Sequence, residues 1–339
     1  MTKAGVTIPY VARDWQQLAE EIKARFTVLV MHRRAGKTVF DVYQSIMSIL
    51  SCPHNKPRGA YIGVTLSQTR DTAWDYYKEF LAPFNRAIKT SGGGYEELVK
   101  FNESQLNVKI SKKILTGGGK ISLYSYEKPD SILGNYLDHV VLDEFQVAPQ
   151  RMFGQIIRPM LADREGECII TGTPRGKNQF FDFYERGLDD GFKDWTSILM
   201  DYKKTGALGE DEVASMKEES TEEEFEQEME CSFEAAIKGS FFGKNIKRMR
   251  DEGRIVDKEY DAANLVGAAV DIGLDGYAIW YFKKIKGQLI LIDADFVKDK
   301  DTREVIPILI QKDYMYAYVI VPHDGDDRNA ANKSETPAR

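Results

Sequence analysis

Cysteine is scarce in this 339-residue chain: Cys52, Cys168 and Cys231 lie far apart and form no C-x-x-C pair. That excludes a disulfide scaffold or a cysteine-built zinc cage and fits a reducing compartment. Long hydrophobic runs are absent too, none approaching the roughly 18 residues that cross a bilayer. The opening MTKAGVTIPYVARDW has no apolar core of the secretory kind. There are no internal repeats, and an acidic stretch is the sole biased tract. A content of 42% hydrophobic and 29% charged residues is globular and excludes wholesale disorder. The length favours two domains.

Charge of one sign is in modest excess, with 46 Lys and Arg against 53 Asp and Glu, a net −7. This argues against a protein that coats nucleic acid over its whole surface. The distribution is uneven: residues 1–60 hold nine basic and four acidic residues, whereas 201–234 hold thirteen acidic and three basic. Helical faces in solvent account for most such acidic runs.

The periodicity predicts an amphipathic helix over Asp14–Arg25, with Trp15, Leu18, Ala19 and Ile22 on one face. The apolar, β-branched run Phe26–Met31 reads as a buried parallel strand, followed by a helix from near Lys37. Further strands are expected at Ala60–Val64, Ile121–Tyr126, His139–Leu142 and Cys168–Thr171, with helices over Thr69–Leu81 and Glu210–Glu230. Alternating strands and helices imply an α/β fold around a mostly parallel sheet. A second strand-rich pattern begins near Leu265 with VGAAVDIG, YAIWYF, QLILIDADFV and, after a helix, AYVIVPHD. The expected division is a first domain over 1–235, a linker over 236–262 and a second α/β unit over 263–339 that looks C-terminally truncated.

The sharpest local signal is Met31-His-Arg-Arg-Ala-Gly-Lys-Thr38, a strand leading through Gly-Lys-Thr into a helix. A phosphate loop needs backbone N–H groups around the anion, a lysine for the β- and γ-phosphates and a hydroxyl for Mg²⁺. Arg33, Arg34, Ala35, Gly36, Lys37 and Thr38 form the candidate loop; Met31 stands where the usual opening glycine would be. About one hundred residues on, His139-Val-Val-Leu-Asp-Glu144 is an apolar strand ending in two acids. Asp143 is placed to hold Mg²⁺ through water and Glu144 to polarise the attacking water. Together these point to ATP with Mg²⁺. Ile169–Pro174 is a strand ending in small hydroxyl residues, among them Thr173, suited to sensing the γ-phosphate. Gln16, at the start of the first helix, is a candidate for reading the adenine edge.

In the second unit Asp271 ends one apolar strand and Asp324 follows another. Acids from adjacent strand ends are what two-metal phosphodiester hydrolysis requires, although strand-end aspartates also cap loops. Asp275, Asp295, Asp326 and Asp327 are weaker candidates, and His323 reads equally as a packing residue.

These motifs, with RRAGKT, LDHVVLDEF, IIRPMLADREGECIITGTPRGKNQFFDFYERG, FEQEMECSFEAAIKGSFFG, VDIGLDGYAIW and VIVPHD, resemble the large terminase subunit of tailed bacteriophages over most of residues 10–325. The resemblance implies a P-loop (ASCE-type) ATPase followed by an RNase H-like nuclease using Mg²⁺ or Mn²⁺, with Asp271 and Asp324 as metal ligands. It implies a motor that packages double-stranded DNA through a portal protein, with a small terminase subunit and as a pentameric homo-oligomer. The expected location is the host cytoplasm, docked transiently on the procapsid, with no membrane. Arg33 matches a phosphate-loop arginine that stabilises transition-state charge, and Thr171–Pro174 match a coupling motif. Many relatives carry a trans-acting arginine where this chain has Leu133, so either Arg158, Arg164 or Arg175 acts across subunits or intersubunit triggering differs. The family's nuclease has a further acid beyond the end of this chain, so an incomplete nuclease is expected. A helicase or repair ATPase with an attached nuclease is the alternative; a non-catalytic nucleotide-binding protein has no use for the Asp143–Glu144 pair.

Overall fold

The computed structural model describes residues 6–86, 94–134, 136–234, 243–256, 264–273, 276–298 and 302–321. The chain divides into two compact units, Met1–Ile246 and Lys247–Arg339.

The first unit is built on an eight-stranded sheet. Its strands are β1 (Phe26–Met31), β2 (Arg58–Gly63), β3 (Val99–Asn102), β4 (Asn107–Ile110), β5 (Gly119–Ser125), β6 (His139–Leu142), β7 (Glu167–Gly172) and β8 (Trp195–Met200), in the order β3-β4-β5-β2-β6-β7-β1-β8. From β5 to β8 all neighbours are parallel; β3, β4 and β5 pair antiparallel at one edge. The mostly parallel sheet expected from the sequence is therefore present with an antiparallel hairpin appended. Every residue of β1 is buried, as a strand covered on both faces requires. Its side chains alternate between two cores: Leu29 and Met31 join Phe40, Ile46, Trp74 and Tyr77, while Val28 and Val30 join Phe153, Ile170 and Phe180.

Helices α1 (Asp14–Glu21) and α2 (Lys37–Ser51) flank β1 in sequence. The helical stretch expected over Thr69–Leu81 starts at Leu66, passes through a π turn at Arg70–Trp74 and ends as α3 (Asp75–Leu81). Helix α4 (Gln179–Leu188) connects β7 to β8. The acidic stretch forms two helices instead of one, α5 (Glu210–Glu219) and α6 (Glu222–Glu228). The break has a local cause: Ser220 and Thr221 are extended, and Thr221 with Glu224 forms a capping box that starts α6 afresh. Where a linker was expected, α7 (Gly243–Asp251) forms, and the division between the units falls within it.

The second unit carries β9 (Val266–Gly273), β10 (Gly276–Ile285), β11 (Gln288–Lys298), helix α8 (Thr302–Gln311) and β12 (Tyr316–Ile320). The sheet order is β11-β10-β9-β12, with β12 parallel to β9 and the other pairs antiparallel. Val266, Ala268, Val270, Tyr277, Ile279 and Tyr281 form its core, against which Ile308 and Leu309 of α8 pack. Among the described residues, no helix is long and apolar enough to cross a membrane.

Because Leu29 sits fully buried in the central strand, Leu29→Ala is expected to cost about 2–5 kcal/mol. Leu188→Ala, at a position 55% exposed, is expected to stay within about 0.5 kcal/mol. Urea midpoints of the two variants check this difference.

Candidate nucleotide site

Strands β6, β7 and β1 are consecutive and parallel, so their carboxyl ends, and the residues that follow them, lie along one edge of the sheet. The loop between β1 and α2 is shaped from behind by α1. Arg13 Nη1 and Trp15 Nε1 donate to the Ala35 carbonyl at 2.8 and 3.2 Å, and Gln16 Nε2 donates to the Gly36 carbonyl at 3.2 Å. In a trans peptide the N–H points opposite to the C=O. Tying these two carbonyls toward α1 therefore turns the N–H groups of Gly36 and Lys37 away from it, at the N-terminus of a fifteen-residue helix. Gly36 has a φ of +93°, and a Cβ there would meet Arg13 Nη1 at 3.3 Å. Both the conformation and the close approach call for glycine.

Lys37 is buried, its Nζ donating to the His32 carbonyl at 3.4 Å and to Thr173 Oγ1 at 3.3 Å. Thr173 in turn donates to the Met31 carbonyl at 3.0 Å. The hydroxyl just past β7 thus bridges the two ends of the phosphate loop. Thr38 is half-buried at the start of α2, and Arg34 is exposed with a φ of +65°.

Asp143 is buried and held by its neighbours. Tyr61 donates to Oδ2 at 2.8 Å, Thr171 lies 3.3 Å from Oδ1, and Tyr126 donates to the main-chain carbonyl at 2.8 Å. The Thr171 hydroxyl is also 3.0 Å from Oδ2 of Asp41, which is fully buried. One hydroxyl proton serves two carboxylates, and Asp41 Oδ1 has no partner among the described residues. Burial pushes the carboxyls of both acids up; the next cause is the Asp143 charge for Asp41 and the Glu144 charge for Asp143. Glu144 takes a left-handed φ of +52°, which turns it out of the strand, and accepts a hydrogen bond from Gln146 Nε2.

Three carboxylates and the buried Lys37 leave this edge short of positive charge. Two of these acids are buried, and one oxygen is orphaned. Oxygen groups of this kind are what a hard divalent cation takes, and the Thr38 hydroxyl and Asp143 carboxylate are the sequence candidates that could hold one here.

The remaining sequence candidates divide by position. Arg33 donates through Nε to Glu228, and Glu228 is the main cause that raises its pKa. Gln16 is buried, with Oε1 accepting from Tyr10 and from the Arg13 N–H at 2.9 and 2.8 Å; its bonds serve the loop and its own helix start. Arg164 pairs with Asp138 at 3.3 Å and stacks 3.6 Å from the Tyr136 ring; Arg158 lies over Phe26. Asp138 precedes β6 and Phe26 begins β1, so both arginines sit at the sheet end opposite the phosphate loop. Arg175 is exposed just after β7, at the same edge as the loop.

In the second unit Asp271 is exposed near the end of β9, and the parallel neighbour β12 ends at the same edge. Asp324, His323, Asp275, Asp326 and Asp327 lie outside the described residues. Asp295 is engaged by Lys312 at 3.0 Å and by the Tyr281 hydroxyl at 2.9 Å, and Asp293 by Lys312 at 2.7 Å. Among the described residues, no group of three or more His, Cys, Asp or Glu side chains is arranged to hold a metal ion by itself.

Sequence reasoning passed over Asp41, Tyr61, Arg13 and Glu228. Asp41 had a readable signal: an acid one helical turn after Lys37, on a helix face that also carries Gln44 and Ser45.

The raised Asp41 carboxyl gives a signed expectation. As pH rises from the ordinary carboxylate value of about 3.9 toward the raised folded value, the unfolded chain loses its proton first, so stability falls across that window. Asp41→Asn removes this term. Its Tm should match wild type near the lower limit and exceed it increasingly toward pH 8, as thermal unfolding at stepped pH will read.

Comparison with known proteins places this geometry. The family described as terminase large subunit, T4likevirus-type, N-terminal, matches residues 32–248. The terminase large subunit of Escherichia phage T5 is 27% identical over 154 residues, covering 42% of this chain and 35% of that protein. That of Thermus phage G20c is 33% identical over 99 residues, covering 29% and 20%. The chain thus aligns with about a third or less of these relatives' lengths. Among solved structures, the Thermus phage P74-26 large terminase ATPase domain shares the fold at a TM-score of 0.57 and 19% identity, over 67% of this chain and 95% of that one. The HK97 bacteriophage large terminase does so at 0.56 and 13%, over 93% and 72%. With a family match that spans most of the first unit and the phosphate-loop edge within it, this chain belongs to the terminase large-subunit family.

Proposed function

We propose that this chain is a genome-packaging motor subunit whose first unit hydrolyses ATP to move double-stranded DNA. The observation that carries the reading is the convergence of Lys37, Thr173, Asp143 and Glu144 on one sheet edge, with the α2 N-terminus behind them. The outward N–H groups of Gly36 and Lys37 receive phosphate oxygens, and the Lys37 ammonium balances their charge. Thr38 and Asp143 would hold a Mg²⁺ ion, which when bound would neutralise part of the phosphate charge. Glu144, turned out of the strand end and steered by Gln146, accepts a proton from the attacking water. Arg33 steadies the charge that develops on the γ-phosphoryl oxygens.

Gln16 fits adenine recognition only if its amide gives up the Gly36 carbonyl, so its role in this reading is first to brace the loop. Of the three arginines open for action across subunits, Arg175 is the one at the nucleotide edge. Action across subunits implies a homo-oligomer, and a packaging role implies a portal protein and a small terminase subunit as partners, in the host cytoplasm at the procapsid.

The second unit reads as a nuclease of RNase H type acting on concatemeric DNA with Mg²⁺ or Mn²⁺. The parallel pairing of β9 and β12 supports this, because it brings Asp271 and the end of β12, after which Asp324 follows in the sequence, to one sheet edge. Asp295, neutralised by Lys312, is not part of that proposal.

Lys37→Ala and Glu144→Gln are each expected to lower ATP turnover by about a hundredfold or more, measured as phosphate release; undiminished turnover in either removes the assignment. Plasmid nicking in Mn²⁺ should depend on Asp271, so Asp271→Asn is expected to lose it. Cutting that survives the substitution takes Asp271 out of the metal site.

A further inference from the structure

Among the described residues, the end of the acidic segment meets the phosphate loop at Arg33, through both main chain and side chain. The Arg33 N–H donates to the Glu228 carbonyl at 3.1 Å, while Arg33 Nε donates to the Glu228 carboxylate. The end of α6 is anchored independently of this pair. The Tyr202 N–H donates to the Met229 carbonyl at 3.0 Å, Phe225 is buried with its ring 5.6 Å from that of Tyr202, and Cys231 Sγ lies 3.5 Å from the Met200 carbonyl at the end of β8.

Glu228 occupies an electrostatically poor place. It is the last residue of α6, where the helix dipole disfavours a carboxylate, and Glu222, Glu223, Glu224 and Glu226 precede it on the same helix. Arg33 supplies a cation that offsets this. Arg33 in turn feels two carboxylates: Glu228, which it contacts, and Glu144, whose charge also acts on it. Its side chain is otherwise open, 68% exposed.

We propose that Glu228 is a positioning residue for Arg33: by holding Nε it keeps the guanidinium off Glu144 and leaves the two terminal nitrogens to face the transferring phosphoryl group. Without it the guanidinium's electrostatic alternative is Glu144, whose pairing with a cation would weaken it as a base. The proposal rests on the ATPase reading of the same site. It also gives the acidic segment a mechanical connection to the nucleotide, since any movement of Arg33 pulls on the end of α6.

The test is steady-state ATP hydrolysis by the full chain, as wild type, Glu228→Gln, Arg33→Ala and the double variant, with Glu230→Gln as control. Glu230 pairs with Lys203 on the surface and contacts nothing in the loop, so its variant should behave as wild type. Glu228→Gln is expected to lower kcat about tenfold, the scale of one charge-assisted hydrogen bond, with KM changed less than about threefold. In the Arg33→Ala background the same substitution should add nothing, because the group it positions is gone. Wild-type kcat in Glu228→Gln, or full additivity in the double variant, overturns the proposal, the latter marking a purely structural role. If Glu228→Gln does not fold, Arg33→Lys carries the test: it keeps the charge but lacks the fork, and an unchanged kcat overturns the proposal. Absence of hydrolysis in the wild type would overturn the ATPase reading and this proposal with it, whereas hydrolysis indifferent to Glu228 would overturn this one alone.

Discussion

The site depends on two carbonyl groups being held the right way round. Ala35 and Gly36 direct their oxygens at Arg13, Trp15 and Gln16 of α1 and its cap. The planarity of the peptide then dictates that the following N–H groups face the other way. The shape of the phosphate loop is thus imposed by a helix that precedes the strand, through three side-chain donors, and not by the loop's own sequence. This explains how the loop dispenses with the opening glycine usual in such motifs: Met31 completes a buried strand, and the one glycine that the geometry demands is Gly36, where φ is positive and Arg13 comes close.

The second constraint is charge. Asp41 and Asp143 are both buried and share a single hydroxyl proton from Thr171. Buried carboxylates without compensating donors oppose folding, so this edge is a place where stability is given up for function. The compensation is partial. Tyr61 and Tyr126 fix Asp143, and Lys37 contributes its charge from the adjoining loop. What remains unbalanced is the complement of a metal–nucleotide complex: a cation beside the carboxylates and anions against the N–H groups.

How much of this was legible in the sequence follows from which forces act locally. Strands β1 and β6 were readable to the residue because a strand covered on both faces must be a continuous apolar run, and FTVLVM and HVVL are such runs. Strands β3 and β4 were not, because VKFN and NVKI lie in the antiparallel edge hairpin, are partly exposed and alternate too briefly to stand out from loop. Strand β8 was hidden for a related reason: four residues of WTSILM are only half-buried at the far edge. The acidic run read as one helix because helix propensity hides a break; Thr221 makes it, through a cap worth about 1 kcal/mol. Among site residues, the motif positions carry their own chemistry and were visible. Arg13, Tyr61 and Glu228 act through contacts made across the fold, and spacing along the chain carries no trace of such contacts.

Strand β7 connects these constraints. It lies between the loop strand β1 and the acidic strand β6, and two hydroxyls at its end face different partners. Thr171 touches Asp41 and Asp143, while Thr173 joins Lys37 to the Met31 carbonyl. Side chains at i and i+2 in extended backbone share a face, so both hydroxyls address the same edge from one strand. Thr173 is thus linked to the lysine of the loop and Thr171 to the two buried carboxyls. Gly172 between them is closely packed: a Cβ there would approach Gln146 Oε1 to 2.3 Å and the Phe180 ring to 3.1 Å. Gln146 steers Glu144, and Phe180 begins the helix that follows. The close packing at Gly172 therefore brings β7, the Gln146 side chain that binds Glu144, and α4 together at one point, one residue from the hydroxyl that holds Lys37.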